Sequence, residues 1–273
     1  MIDLKMQLAS IAANNYELPS DINVCEVLEA MLENIGSLDA ELRDHLIYAT
    51  LSRWIERNQL EKELLSEIMT VVTDDEHLFY KIDIKDVTSV FTRSFSVLIV
   101  AALVYYHRQH GLFNVEEIKA IYEKVCRYFR EEMDLRGYVD VQGWAHSAAH
   151  TADAIDELAM CDELNQEHLI NLLELIKEKI ATPSYVYVHE EDERMVTAVV
   201  NVIKRSLLSD EALIAWLRSF AEREAFESYI KNFNSRLNIK HFMRSLYFRL
   251  LKDSTYEILT NVIAEELDER SNF

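Results

Sequence analysis

A chain of 273 residues, 49% hydrophobic and 28% charged, is globular in composition and long enough to bury a large core, as one extended domain or two compact ones. Only 4 glycines and 2 prolines leave too few chain breakers for a turn-rich β fold, so an all-α protein is expected. A formal net charge of -20 repels phosphate backbones and anionic membranes, which argues against nucleic-acid and membrane partners and favours a cationic partner or a metal ion.

Helical periodicity predicts helices over 2–15, 21–34, 38–57, 60–72, 86–110, 115–133, 141–161, 165–180, 189–207, 210–230, 237–251 and 254–268. Start signals accompany several of them. Ser20 or Asp21 opens the second, Ser37 the third, Asn114 the sixth, and Ser209 or Asp210 the tenth. Ser254 with Glu257 three residues later has capping-box spacing. Gly111 in "HGLFN" fits the left-handed residue that ends a helix. The most apolar run, "SVLIVAALVYY" (96–106), is shorter than the roughly 18 residues a spanning helix needs and reads as a buried core helix.

Two segments interrupt the pattern. "TDDEHLFYKIDIKD" (73–86) carries His77, Phe79 and Tyr80, which would line a groove or pin the loop to the core. "ATPSYVYVHEED" (181–192) holds Pro183 and a strand-like alternation. No linker rich in Gly, Ser or Pro divides the chain, so residues 1–273 are expected to form a single all-helical domain. A dozen helices joined by short turns suit an α-solenoid of antiparallel pairs, HEAT- or armadillo-like with degenerate repeats. A compact helical bundle is the alternative.

Cys25, Cys126 and Cys161 are far apart, odd in number and without CxxC spacing. Buried thiols in a reducing cytoplasm fit better than a secreted disulfide framework, and the N-terminal stretch has no basic region followed by an apolar core.

The stretch "GWAHSAAHTADAIDEL" (143–158) carries the chemistry. On a helix, His146, His150, Asp153 and Glu157 share one face. Imidazoles at i and i+4 can converge on a divalent metal, with Asp153 as third ligand or as the group that orients His150. Beside them runs an alanine face, Ala145, Ala148, Ala149 and Ala152, which admits a neighbouring helix closely. A plain hydrogen-bonded pair inside the stack uses the same residues, and the signal is weaker than HExxH because no glutamate base lies between the histidines. In "VHEEDERMV" (188–196), Glu193 is a candidate fourth ligand or general base. Arg194 is a candidate anion binder, although acids at a helix start also serve its dipole. Arg93, inside the apolar "SVFTRSFSVLIV" (89–100), must be paired or face a cleft, and is a second candidate for an anionic group, with one of these acids as its expected partner. Trp144 and His77 complete the candidate ligand contacts. No P-loop, dinucleotide fingerprint, EF-hand or cysteine-based zinc motif is present.

"DDEHLFYKI", "DVTSVFTRSFSVLIVAALV", "RGYVDVQGWAHSAAHTADAIDELA" and "EEDERMV", in that order, resemble a bacterial family known as domain of unknown function 2785 (DUF2785), over roughly 40–250. The Gly143–Asp153 block, Gly-Trp-x-His-x-x-x-His-x-x-Asp, is its most specific part. The resemblance implies an all-helical, solenoid-like fold and no particular reaction. The leading expectation is a cytoplasmic helical-repeat protein that binds a protein, peptide or small ligand on a concave face, around a patch of His, Asp and Arg. A metal-dependent hydrolase using His146, His150, Asp153 and Glu193 is the alternative, and a purely structural polar network the third.

Overall fold

The computed structural model describes residues 4–221 and 226–270, which form twelve α-helices and one small hairpin. The helices are α1 (Leu4–Ala13), α2 (Val24–Glu33), α3 (Ala49–Glu56), α4 (Lys62–Val72), α5 (Ser89–His110), α6 (Val115–Glu131), α7 (Ser147–Ala159), α8 (Gln166–Ile180), α9 (Glu191–Lys204), α10 (Asp210–Ser219), α11 (Tyr229–Leu250) and α12 (Glu257–Arg270). The hairpin strands are β1 (Tyr138–Val139) and β2 (Gly143–Trp144). The chain divides into two compact units, one running to Ala154 and the other from Ile155, and the division falls within α7.

In the first unit α5 is the core helix. It is long and apolar enough to cross a membrane by length and composition, yet 83% of its most apolar window is buried within the protein. Val97, Ile99, Val100, Leu103 and Val104 are fully buried, each contributing about 1.5–3 kcal/mol on removal from water. Helices α3 and α4 pack on it, and α1 packs on α2 and α3. Gly111 takes φ 64° at the end of α5, and Asn114 with Glu117 forms the capping box that starts α6.

The expected helix over 38–57 is two structures. Glu41–Tyr48 is π-helical and leads directly into α3. A π turn widens the backbone ring by one residue and rotates the side chains that follow, which a 3.6-residue pattern cannot anticipate. The expected helix over 141–161 starts only at Ser147, because 138–144 folds as the hairpin.

In the second unit α11 packs on α8, α9 and α12, and α10 on α12. Ser209 caps α10 as expected, by accepting from Ala212 N–H. The expected helix over 210–230 ends at Ser219, and α11 starts at Tyr229 rather than 237; positions 222–225 of that expectation, and 2–3 of the first helix, lie outside the described residues. The strand-like segment 181–192 forms no strand. Side chains of α11 supply its hydrogen bonds instead: Asn238 accepts from Tyr187 N–H at 3.1 Å and donates to Tyr185 O at 2.8 Å, and Ser235 donates to Ala181 O at 2.6 Å. The backbone groups are satisfied without a sheet partner.

Candidate functional site

The hairpin and the start of α7 build a file of rings in the first unit. Tyr138 and Trp144, cross-strand partners, meet edge to face at 5.0 Å. Trp144 stacks on His146 at 4.3 Å with the planes 18° apart. His146 meets His150 edge to face at 5.7 Å, and His150 meets Phe95 of α5 edge to face at 5.1 Å. Exposure falls along the file, from 50% at Tyr138 and 37% at Trp144 to 8% at His146 and 6% at His150. The outer rings therefore offer an open aromatic corner, which suits a flat or cationic group.

The backbone beneath the file is constrained. Gly143 has φ +78°. Val141, 93% exposed at the tip, has φ 69°, an outlier for a β-branched residue. His146 has φ 44°, a conformation that costs about 1–3 kcal/mol outside glycine and persists only where surrounding contacts fix it. Those contacts are present: His146 N–H donates to Arg136 O at 3.0 Å, Ala145 N–H to Gly137 O at 2.9 Å, and His146 O accepts from His150 N–H at 2.9 Å. His146 is thus the residue before the helix rather than part of it, and its side chain does not share a helical face with Asp153 and Glu157. Of the alanine face, Ala148, Ala149 and Ala152 lie on α7 and are buried as expected, whereas Ala145 precedes the helix and is buried against Val90 and Phe91 of α5.

The His150 Nδ1 atom lies 3.1 Å from Ser94 O. A carbonyl only accepts, so Nδ1 carries the proton and the neutral ring's lone pair is on Nε2. This bond ties α7 to α5, and it is also the arrangement that orients a histidine for Nε2 coordination.

Arg43, from the π-helical run, is the residue that sequence reasoning missed. Fully buried, it donates to Gln142 O at 2.7 Å and to Ser37 O at 2.6 Å, and pairs with Asp44 at 2.8 Å. Its guanidinium lies over Phe91 and Phe95, 4.4 and 4.8 Å from their ring centres. Burial holds it below the ordinary arginine value and pushes the Asp44 carboxyl up, against the pull of Arg43 and of a hydrogen bond from Trp144 N–H. Arg43 and Asp44 together clamp the hairpin from below. Its partners are mostly backbone carbonyls, and one lies 99 positions away, so no sequence pattern marks it.

Arg93 is buried and paired, but with none of the acids expected. It makes a two-pronged bond to Glu132, Nε to Oε2 at 2.7 Å and Nη2 to Oε1 at 2.9 Å, and its Nη1 donates to Tyr80 O and Ser89 Oγ. Glu132 also accepts from Tyr128 OH at 3.1 Å and Asp134 N–H at 2.9 Å. Asp134 O in turn accepts from Ser147 Oγ at the start of α7. Arg93 therefore anchors the segment leading into the hairpin.

Asp153 is half-buried on α7. In the second unit, Glu193 is paired with Arg249 at 2.9 Å, and Arg194 is exposed on α9. In the first unit, His77 pairs with Asp74 at 2.9 Å and, with Tyr80, lines a hollow as the loop reading anticipated. Phe79 is buried instead, with Arg127 over its ring at 4.1 Å.

A family model described as "Protein of unknown function (DUF2785)" matches residues 78–248, well over half of the chain, and the chain belongs to this family. No curated protein and no solved structure matches it.

Proposed function

We propose that this member of the DUF2785 family is a cytoplasmic binding protein, built from degenerate antiparallel helix pairs of the solenoid kind, which takes a protein, peptide or small-molecule ligand on the aromatic corner of Tyr138 and Trp144. The supporting observation is the ring file itself. A half-exposed tryptophan stacks on a histidine held in a left-handed conformation, so folding energy is spent on presenting one face of that ring. The acidic surface adds preference for a cationic side chain of the ligand and disfavours nucleic acid and anionic membranes. Arginine or lysine over the Trp144 face would contribute about 0.5–2 kcal/mol per contact.

The test is an array of random dodecamer peptides probed with the wild type and with the Trp144→Ala variant. Motifs rich in Arg, Lys or aromatic residues, bound by the wild type and lost in the variant, are expected. An identical motif profile from both proteins overturns the reading.

A second reading, a divalent-metal hydrolase using His146, His150 and Asp153, is favoured by the His150 Nδ1 bond to Ser94 O alone, since among the described residues the ligand atoms of these three do not all lie within 4.8 Å of one another. There the ion would generate hydroxide from a bound water near neutral pH. Metal content of untagged protein decides it: near-stoichiometric metal lost in His146→Ala/His150→Ala promotes this reading. No metal, with a less stable variant, assigns the two histidines to packing.

A further inference from the structure

We propose a separate docking site in the first unit, a groove between α2 and α4 that receives a basic amphipathic helix of a protein partner. Cys25, Leu28 and Leu32 line it from α2, and Leu64, Ile68 and Val71 from α4. These are positions i, i+3 and i+7 on one helix and i, i+4 and i+7 on the other, so an apolar row from each helix lines one trough of about 300 Å³, with Leu28, Leu32 and Ile68 buried at its floor. A neighbouring hollow of about 500 Å³ shares Leu32, Glu33 and His77 with it and lengthens the trough toward Tyr80 and Thr92. A groove with regularly spaced apolar contacts is the shape into which a partner helix lays its own i, i+4, i+7 anchors.

Charge selects the occupant. Glu29, Glu33 and Glu67 line the groove, Glu76 lines the adjoining hollow, and neither contains a lysine or arginine. All four glutamates are exposed, and among the described residues none has an ion-pair partner. A second copy of this chain, at net charge -20, would meet the trough with like charge. A helix with a leucine stripe flanked by lysine or arginine satisfies both the floor and the rim, and its binding weakens as salt screens the rim.

Cys25 gives a local reporter, since it is the exposed cysteine while Cys126 and Cys161 are buried. The probes are two synthetic 18-residue helical peptides with the same leucine stripe, one carrying lysine elsewhere and one glutamate. The lysine peptide is expected to bind with micromolar Kd and to slow iodoacetamide alkylation of Cys25 about tenfold at saturation; the glutamate peptide should do neither. Glu29→Lys/Glu33→Lys/Glu67→Lys should weaken binding at least tenfold, and the single Glu33→Lys should act in the same direction. Glu178→Lys/Glu265→Lys/Glu269→Lys, the same change in charge on exposed positions of the second unit, should stay within about threefold of wild type. Equal weakening by both triple variants, or binding without protection of Cys25, would show general attraction to an acidic protein and overturn the proposal. Protection of Cys25 by self-association without peptide would overturn it too, in favour of a second copy.

Discussion

Substituting Gly143 by alanine tests how the hairpin is held. Two costs add at this position. The residue has φ +78°, where an L side chain costs about 1–2 kcal/mol. The new Cβ would also stand 2.8 Å from Ala40 Cβ and 3.1 Å from Arg43 Nη2. The alanine methyl is fixed to backbone and cannot swing away, and Arg43 is fully buried with that same nitrogen bonded to Gln142 O. Overpacking of this kind costs about 1–3 kcal/mol, so the total is roughly 2–5 kcal/mol. Gly111→Ala is the internal control in the same unit. Its φ is +64°, but nothing lies within 4 Å of the added Cβ, so only the conformational cost applies, about 1–2 kcal/mol. Urea unfolding followed by circular dichroism gives both losses, and their difference isolates the packing at Gly143. Acrylamide quenching gives the consequence for the site, because Trp54 and Trp216 are buried and Trp144 is the accessible indole; its quenching should rise in Gly143→Ala and not in Gly111→Ala. If Gly143→Ala loses no more stability than Gly111→Ala, the clamp of Ala40 and Arg43 on the hairpin is not what fixes this backbone.

Breaking the Arg93–Glu132 pair from one side should be severe. Arg93→Met leaves Glu132, 3% exposed, without its cation and should cost about 3–5 kcal/mol, with Arg93→Met/Glu132→Leu recovering part of that; a single-variant loss under about 1 kcal/mol in thermal melts would contradict the buried pairing. Glu191, fully buried at the start of α9, has its carboxyl pushed up by burial, against the hydrogen bond from His189 N–H. A raised folded-state value means the wild type is favoured while this group is protonated and loses that stability as pH rises from the ordinary glutamate value through the folded one. Glu191→Gln stays neutral throughout, so its stability relative to wild type should climb as pH rises above the ordinary glutamate value and level once the buried carboxyl has ionised; a gap that does not change with pH would refute the assignment.

Much of the architecture was legible because its signals are local. Four glycines and two prolines excluded a β fold, the apolar run of α5 marked its core helix, and Gly111, Asn114 and Ser209 marked helix ends through bonds that close within a few residues. The buried alanines of α7, Ala148, Ala149 and Ala152, were readable from helical spacing for the same reason. The sequence by itself thus determined the helical class and singled out the 143–153 block, though not the side chains that gather around it. Only the tertiary structure decided what those side chains do. The hairpin at 138–144 interrupts a helical pattern, and it holds because Arg43 and Asp44, about a hundred positions earlier, bond to its backbone. The partner of Arg93 is Glu132 rather than an acid of a chemistry-bearing motif, and His146 sits before the helix instead of on it. Such contacts form between a side chain and a distant carbonyl, or between helices whose order in space follows from packing, and neither leaves a periodicity in the chain for a sequence to display.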